Sequence, residues 1–272
     1  MTFSQRWRLA PVAVSTAVMV ATLLAGCGST QKEERADVAA EKLYADAKDS
    51  MEAGSYDQAI KSLARVEGLA AGTQLAQQSQ LDLAYLYWKT SEKAQALTTI
   101  ERFIKLNPSS PALDYAMYLR GLINFNEDMG LFGRIANQDL SERDQRAARD
   151  AYQSFKQLVE QFPASKYAPD ARQRMDYIVN SLAAYEVHVA RYYYKRGAYV
   201  AAANRAQQAV TEFQRSPAAE EGLYLMVQSY DRLQLAQLRD DALRVLQQNY
   251  PDSRFLAQAV EQDKPRAWWK LW

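Results

Sequence analysis

Apolar positions recur at helical spacing along most of the chain. Leu43, Ala47 and Met51 share one face, as do Ile60, Leu63 and Val66, then Ala84 with Tyr87 and Ile100 with Phe103. Such stripes predict amphipathic helices whose apolar faces build a core. No sustained alternating run bounded by turn residues predicts a strand pair. Helix ends are legible at Asn107-Pro108, Phe162-Pro163 and Tyr250-Pro251, because proline disfavours helical geometry in the residue before it. Ala, Leu, Gln, Glu, Lys and Arg are abundant, whereas Gly and Pro number only ten and eight. The chain therefore reads as all-α.

The helical pattern repeats. Gly54-Ser55-Tyr56-Asp57-Gln58-Ala59 returns as Gly197-Ala198-Tyr199-Val200-Ala201-Ala202, with a degenerate copy at Ser91-Glu92-Lys93-Ala94-Gln95-Ala96. Glycine closes a first helix, tyrosine opens a second, and the small alanine lets the two approach closely. Anchoring alanines at 59, 96, 151, 202 and 242 are separated by 37, 55, 51 and 40 residues. The outer steps fit one repeat each. The inner two hold extra elements: a Gly-, Asn- and Asp-rich insert at 126–144 and a lengthened helix from Ala168 through Tyr194. The prediction is an all-α superhelix of about five tetratricopeptide-like helix–turn–helix repeats over residues 38–259, a scaffold for binding peptides or domains.

Upstream of the repeats, Arg6 and Arg8 precede an uncharged apolar run from Leu9 to Ala25, the plan of a secretory signal. It ends at Leu24-Ala25-Gly26-Cys27, which resembles the lipobox of bacterial lipoproteins. The resemblance implies cleavage after residue 26, an S-diacylglycerol on Cys27 and an N-palmitoyl group on its amine. Two or more acyl chains make a stable anchor, at about 0.8 kcal/mol per buried methylene. Gly28 rather than aspartate after the cysteine implies export to the outer membrane. Residues 27–37 are expected to form a short flexible tether of roughly 17 Å, holding the repeats close beneath that membrane.

Charge and residue usage exclude several functions. With two of the 33 Lys and Arg in the signal, the mature chain has 31 basic against 32 acidic residues, a net charge of −1. Nucleic-acid binding would need a strong basic excess. Cys27 is the only cysteine and His188 the only histidine, so neither a zinc site of the usual ligands nor a histidine cluster is supported. His188 lies within an apolar-periodic helix and is expected to be structural. No Gly-Lys-Ser or Gly-Lys-Thr phosphate loop occurs. The expectation is a non-catalytic protein without metal or cofactor. The tail 260–272 ends in Trp268-Trp269-Lys270-Leu271-Trp272, read either as a cap on the last repeat or as a docking anchor.

Two segments carry a more specific resemblance. Arg102-Phe103-Ile104-Lys105-Leu106-Asn107-Pro108, then Pro111 and Asp114-Tyr115-Ala116-Met117-Tyr118-Leu119-Arg120-Gly121, is similar to the BamD (ComL) family, the outer-membrane lipoprotein subunit of the β-barrel assembly machine. So is Tyr185-Glu186 through Tyr192-Tyr193 to Arg196-Gly197-Ala198-Tyr199-Val200-Ala201 and Asn204-Arg205. The resemblance implies a non-enzyme on the periplasmic face of the outer membrane. Its implied partners are a BamA-like insertase, BamC- and BamE-like lipoproteins and unfolded outer-membrane β-barrel proteins. It implies Tyr192, Arg196, Asn204 and Arg205 as the insertase face, arginine offering carboxylates a planar fork. Against that stands a reading in which Tyr192 to Tyr194 are partly core and Arg205 is a solvated helix residue. The family's aromatic, proline-containing loop between the first two repeats is replaced here by Leu69-Ala70-Ala71-Gly72-Thr73-Gln74-Leu75, so the substrate-binding residues are not assigned. The alternative is another periplasmic tetratricopeptide adaptor, for cell division or peptidoglycan synthesis. A cell-wall lyase would need a separate catalytic domain for which repeats running from Leu43 to about Ala259 leave no room.

Overall fold

The computed structural model describes residues 27–125 and 142–256, with side chains placed from 37 and from 145 onward. The signal 1–26, the Cys27 side chain, most of the insert and the Trp-rich tail lie outside these bounds. Ten long helices follow one another among the described residues: α1 (Cys27–Glu52), α2 (Tyr56–Leu69), α3 (Gln74–Lys89), α4 (Lys93–Leu106), α5 (Leu113–Asn124), α6 (Glu142–Gln161), α7 (Ala168–Lys195), α8 (Tyr199–Glu212), α9 (Ala218–Arg232) and α10 (Ala236–Asn249). No strand occurs among them. The helix α1 begins at Cys27, so residues 27–37, expected as coil, form its first turns.

The ten helices make five consecutive pairs, as the repeat spacing predicts. All five anchoring alanines are buried on the second helix of their pair: Ala59, Ala96, Ala151, Ala202 and Ala242. Four of the five pairs turn in the same way. Gly54, Ser91, Gly197 and Gln234 adopt positive φ of 74°, 65°, 77° and 60°. In each case the next amide bonds a carbonyl five residues back: Ser55 to Ser50, Glu92 to Tyr87, Ala198 to Tyr193 and Leu235 to Tyr230. This is the Schellman helix stop, which satisfies carbonyls the helix leaves unpaired.

Junctions between successive pairs follow a second rule. Residue Asn107, Phe162, Phe213 or Tyr250 ends a helix, and its carbonyl accepts the amide of Ser110, Ser165, Ser216 or Ser253 three positions on. Each serine Oγ then accepts the amide two residues further, in Ala112, Tyr167, Ala218 and Phe255, at 3.1 to 3.4 Å. Thr73 does the same work before α3, its Oγ1 donating to the Ala70 carbonyl and accepting the Ala76 amide. Hydroxyls at these positions satisfy orphan donors at helix starts.

Contacts divide the chain within α5 into residues 1–116 and 117–272. In the first unit, α1 and α2 close on α3 around Ala47, Ala59, Leu63, Leu83 and Leu86. A second cluster gathers Ala40, Val66, Ala70 and Ala76. Arg102 on α4 bridges to Glu67 on α2 at 2.8 Å. In the second unit, α7 packs against α6, α8 and α9, around Val187, Ala190, Ala206, Ala209 and Leu225. Leu223, Tyr224 and Leu246 close its far end. Fully buried side chains such as Leu63, Phe103, Phe155 and Leu158 each contribute about 1.5–3 kcal/mol.

A candidate protein-binding edge

The two distinctive segments turn out to be largely structural. In the first, Gly121 lies where a Cβ would stand 2.3 Å from the Phe155 ring, so only glycine lets α5 approach α6 this closely. Arg120 donates to Ser154 at 3.0 Å and to Gln157 at 2.6 Å, both on α6. The Tyr118 ring stacks on Tyr167 with centroids 4.8 Å apart. Its hydroxyl donates to Asp170 on α7 at 2.6 Å, and Arg174 Nε donates to the same carboxylate oxygen. Burial first, then the bond to Asp170, pushes the Tyr118 hydroxyl up to about 12. Burial alone would raise Asp170, but the bonds from Tyr118 and Arg174 outweigh it and hold the carboxyl below its ordinary value.

In the second segment, Arg205 on α8 donates to Glu186 on α7 at 3.0 Å. Glu186 is 2% exposed, against 43% for Arg205. The arginine therefore serves the fold as counterion to a buried carboxylate, while part of its guanidinium meets solvent. Arg191 likewise bridges α7 to Glu221 on α9. Tyr194 packs on the local core and against the Tyr199 ring at 5.4 Å. Gly197 is the Schellman turn. His188, expected as a structural residue inside the helix, lies on the solvent face of α7, because it falls between the buried positions Val187 and Ala190.

Once these structural contributions are set aside, an exposed set remains. Tyr192 is half-exposed, its ring meets Tyr193 edge-on, and the Arg196 guanidinium stands 5.1 Å above it. Val200, 59% exposed, and Asn204 follow one turn apart on α8, both facing solvent. Arg232, at the end of α9, stands 6.0 Å over the Tyr199 ring. The structure thus brings Tyr192 and Arg196 together at the fourth turn and leaves Asn204 exposed on the next helix. Arg205 is committed in part to Glu186. Val200 and Arg232 do not stand out in the sequence: Val200 sits inside the repeat and the second family-like segment without a charge or ring to single it out, and Arg232 lies in a different repeat.

This edge is aromatic and cationic. Guanidinium groups above tyrosine faces gain cation–π attraction, and arginine N–H groups at such an edge suit an incoming carboxylate. In the first unit, Tyr85 and Trp88 pack with centroids 5.8 Å apart near the end of α3, with Lys89 5.4 Å from the Trp88 ring. Tyr44 donates to Asp82 at 2.8 Å across α1 and α3. Burial and then that bond push the Tyr44 hydroxyl well above the ordinary range. Among the described residues no group of three or more His, Cys, Asp and Glu is placed to hold a metal. No helix there is long and apolar enough to cross a membrane.

Five consecutive helix pairs with repeated Schellman turns and buried anchoring alanines define a tetratricopeptide-type repeat protein, a class whose exposed surfaces serve binding. The model of a family described as outer membrane lipoprotein (YfiO) matches residues 36–244. The chain is 47% identical over 236 residues to the outer membrane protein assembly factor BamD of Neisseria meningitidis serogroup A, covering 87% of this chain and 88% of that protein. It is equally similar to BamD of Neisseria gonorrhoeae. To BamD of Vibrio cholerae it is 32% identical, covering 85% of this chain and 96% of that one. The chain belongs to the BamD family of outer membrane protein assembly factors.

Proposed function

We propose that the protein is a non-catalytic scaffold of the outer-membrane β-barrel assembly machinery, anchored at Cys27 to the periplasmic face of the outer membrane. On this reading the second unit binds the periplasmic domain of a BamA-like insertase through Tyr192, Arg196, Asn204 and the exposed part of Arg205. BamC- and BamE-like lipoproteins share the complex. The first unit receives segments of unfolded barrel proteins, whose strands carry aromatic girdles, with Tyr85 and Trp88 as contacts. The observation that supports this most is the exposed Tyr192–Arg196 pair, which stands outside the hydrophobic clusters of the second unit. Such a pair suits an acidic partner face, since aromatic and arginine side chains dominate binding hot spots.

The test is affinity purification from detergent-solubilised outer membrane. A large barrel protein should co-purify with the native chain, and Tyr192→Ala with Arg196→Glu should reduce its recovery at least tenfold. Undiminished recovery would remove this edge from the interface. Charge reversal at Arg205 is a poorer probe, because it sets a second carboxylate against buried Glu186. Arg205→Lys keeps the internal charge pair and removes only the fork.

A further inference from the structure

At the far end of the second unit no long helix follows α10 among the described residues. Tyr250-Pro251-Asp252-Ser253 makes the same serine-capped junction that leads into α5, α7 and α9. Beyond it, residues 254–256 form a helical turn. Phe255 stacks on Tyr224 with ring centroids 5.0 Å apart, and Leu256 joins the end cluster with Leu246. Next to this point a cleft of about 310 Å³ remains, lined by Val210, Ala219, Leu223, Val245 and Tyr250 together with polar neighbours. Val245 is 39% exposed and Leu238, two turns earlier on α10, is 46% exposed. Of the interior residues three positions after the anchoring alanine, Thr99 and Ser154 are buried and Ser62 and Arg205 are half-buried, all of them polar or charged, whereas Val245 is apolar.

We propose that this cleft is the receiving site for the chain's own Trp-rich end, Trp268-Trp269-Lys270-Leu271-Trp272. Three arguments select this occupant over an outside partner. The volume is at the small end of ligand pockets, suited to a single large aromatic side chain rather than a domain face. Twelve residues separate Leu256 from Trp268, a reach of up to about 40 Å, while Tyr250 of the cleft wall is only six residues before Leu256. A tethered segment also acts at an effective concentration on the order of millimolar, which favours it over a free partner of similar chemistry. Docking there would cover Val245 and extend the apolar cluster around Leu223, Tyr224 and Leu246.

The experiment uses the full chain carrying Trp7→Phe and Trp88→Phe, so that all tryptophan emission comes from the tail. Iodide quenching should be several-fold weaker in the native chain than in the same chain in urea. Val245→Asp, at a partly exposed position, should restore quenching to near the unfolded level while the helical circular dichroism is unchanged. Val38→Asp, an equally apolar exposed site in the other unit, should leave quenching as it was. Native quenching equal to that in urea would overturn the proposal. So would protection that Val245→Asp does not alter, since the tail would then be held elsewhere or by another molecule.

Discussion

Arg205 shows how one side chain can be claimed by two tasks. Its pairing with Glu186 neutralises a carboxylate that is almost wholly removed from water, and an unpaired buried charge is costly. Since half of the arginine is solvated, Arg205→Ala should destabilise the fold by about 2 kcal/mol, measured by urea unfolding. Replacing both partners, as Glu186→Gln with Arg205→Gln, should recover most of that loss. A second residue-level expectation concerns pH. The folded state holds the Tyr118 hydroxyl at about 12 against an ordinary 10. Protonated tyrosine is thus favoured in the fold: the contribution is fully present below pH 10 and is lost as pH rises from 10 towards 12. Tyr118→Phe should flatten the decline in thermal stability over that window. Tyr44, Tyr224 and Tyr230 shift the same way, so part of the decline remains.

The helices end by rules that repeat along the chain, and the exceptions carry the information. Four Schellman turns need a left-handed residue, and two use glycine at little cost. Ser91 and Gln234 adopt the same conformation with a Cβ, which costs roughly 1–2 kcal/mol. Gln234→Gly should therefore raise stability by about 1 kcal/mol, since glycine's gain in the turn is partly offset by its freer unfolded state; a shift in the urea midpoint at unchanged slope would check it. The degenerate copy at Ser91 was readable from its alignment with Gly54 and Gly197. The serine caps at 110, 165, 216 and 253 were equally visible as an Asn-, Phe- or Tyr-ended helix followed three residues later by serine. Proline, which directly follows only three of these four helix ends, is the stronger stop signal, whereas serine is common in loops of every kind.

For the protein as a whole, the stiffness of the stretch between Cys27 and the first repeat follows from α1. The helix runs from Cys27 to Glu52, so those residues span about 39 Å as a rod at 1.5 Å per residue and not a slack coil. On the proposed anchoring, Cys27→Ser should release the protein from the outer membrane while leaving its helical content and melting temperature unchanged, by fractionation and circular dichroism. A melting temperature lowered by several degrees would mean that the first helix depends on attachment.

Periodicity, alanine spacing and proline stops sufficed to predict an all-α array of five helix pairs, because each repeat folds by contacts with its neighbours and writes those contacts locally. The two family segments were legible for the same reason, being short and contiguous. What the linear order could not reveal was which side chains of those segments face inward. Glu186 and Arg205, nineteen residues apart, are joined only when α8 folds back on α7. Tyr118 meets Asp170 only across a junction 52 residues long. Burial is a property of the packed helices, so only the tertiary structure separated the exposed Tyr192 and Arg196 from neighbours that hold the repeats together.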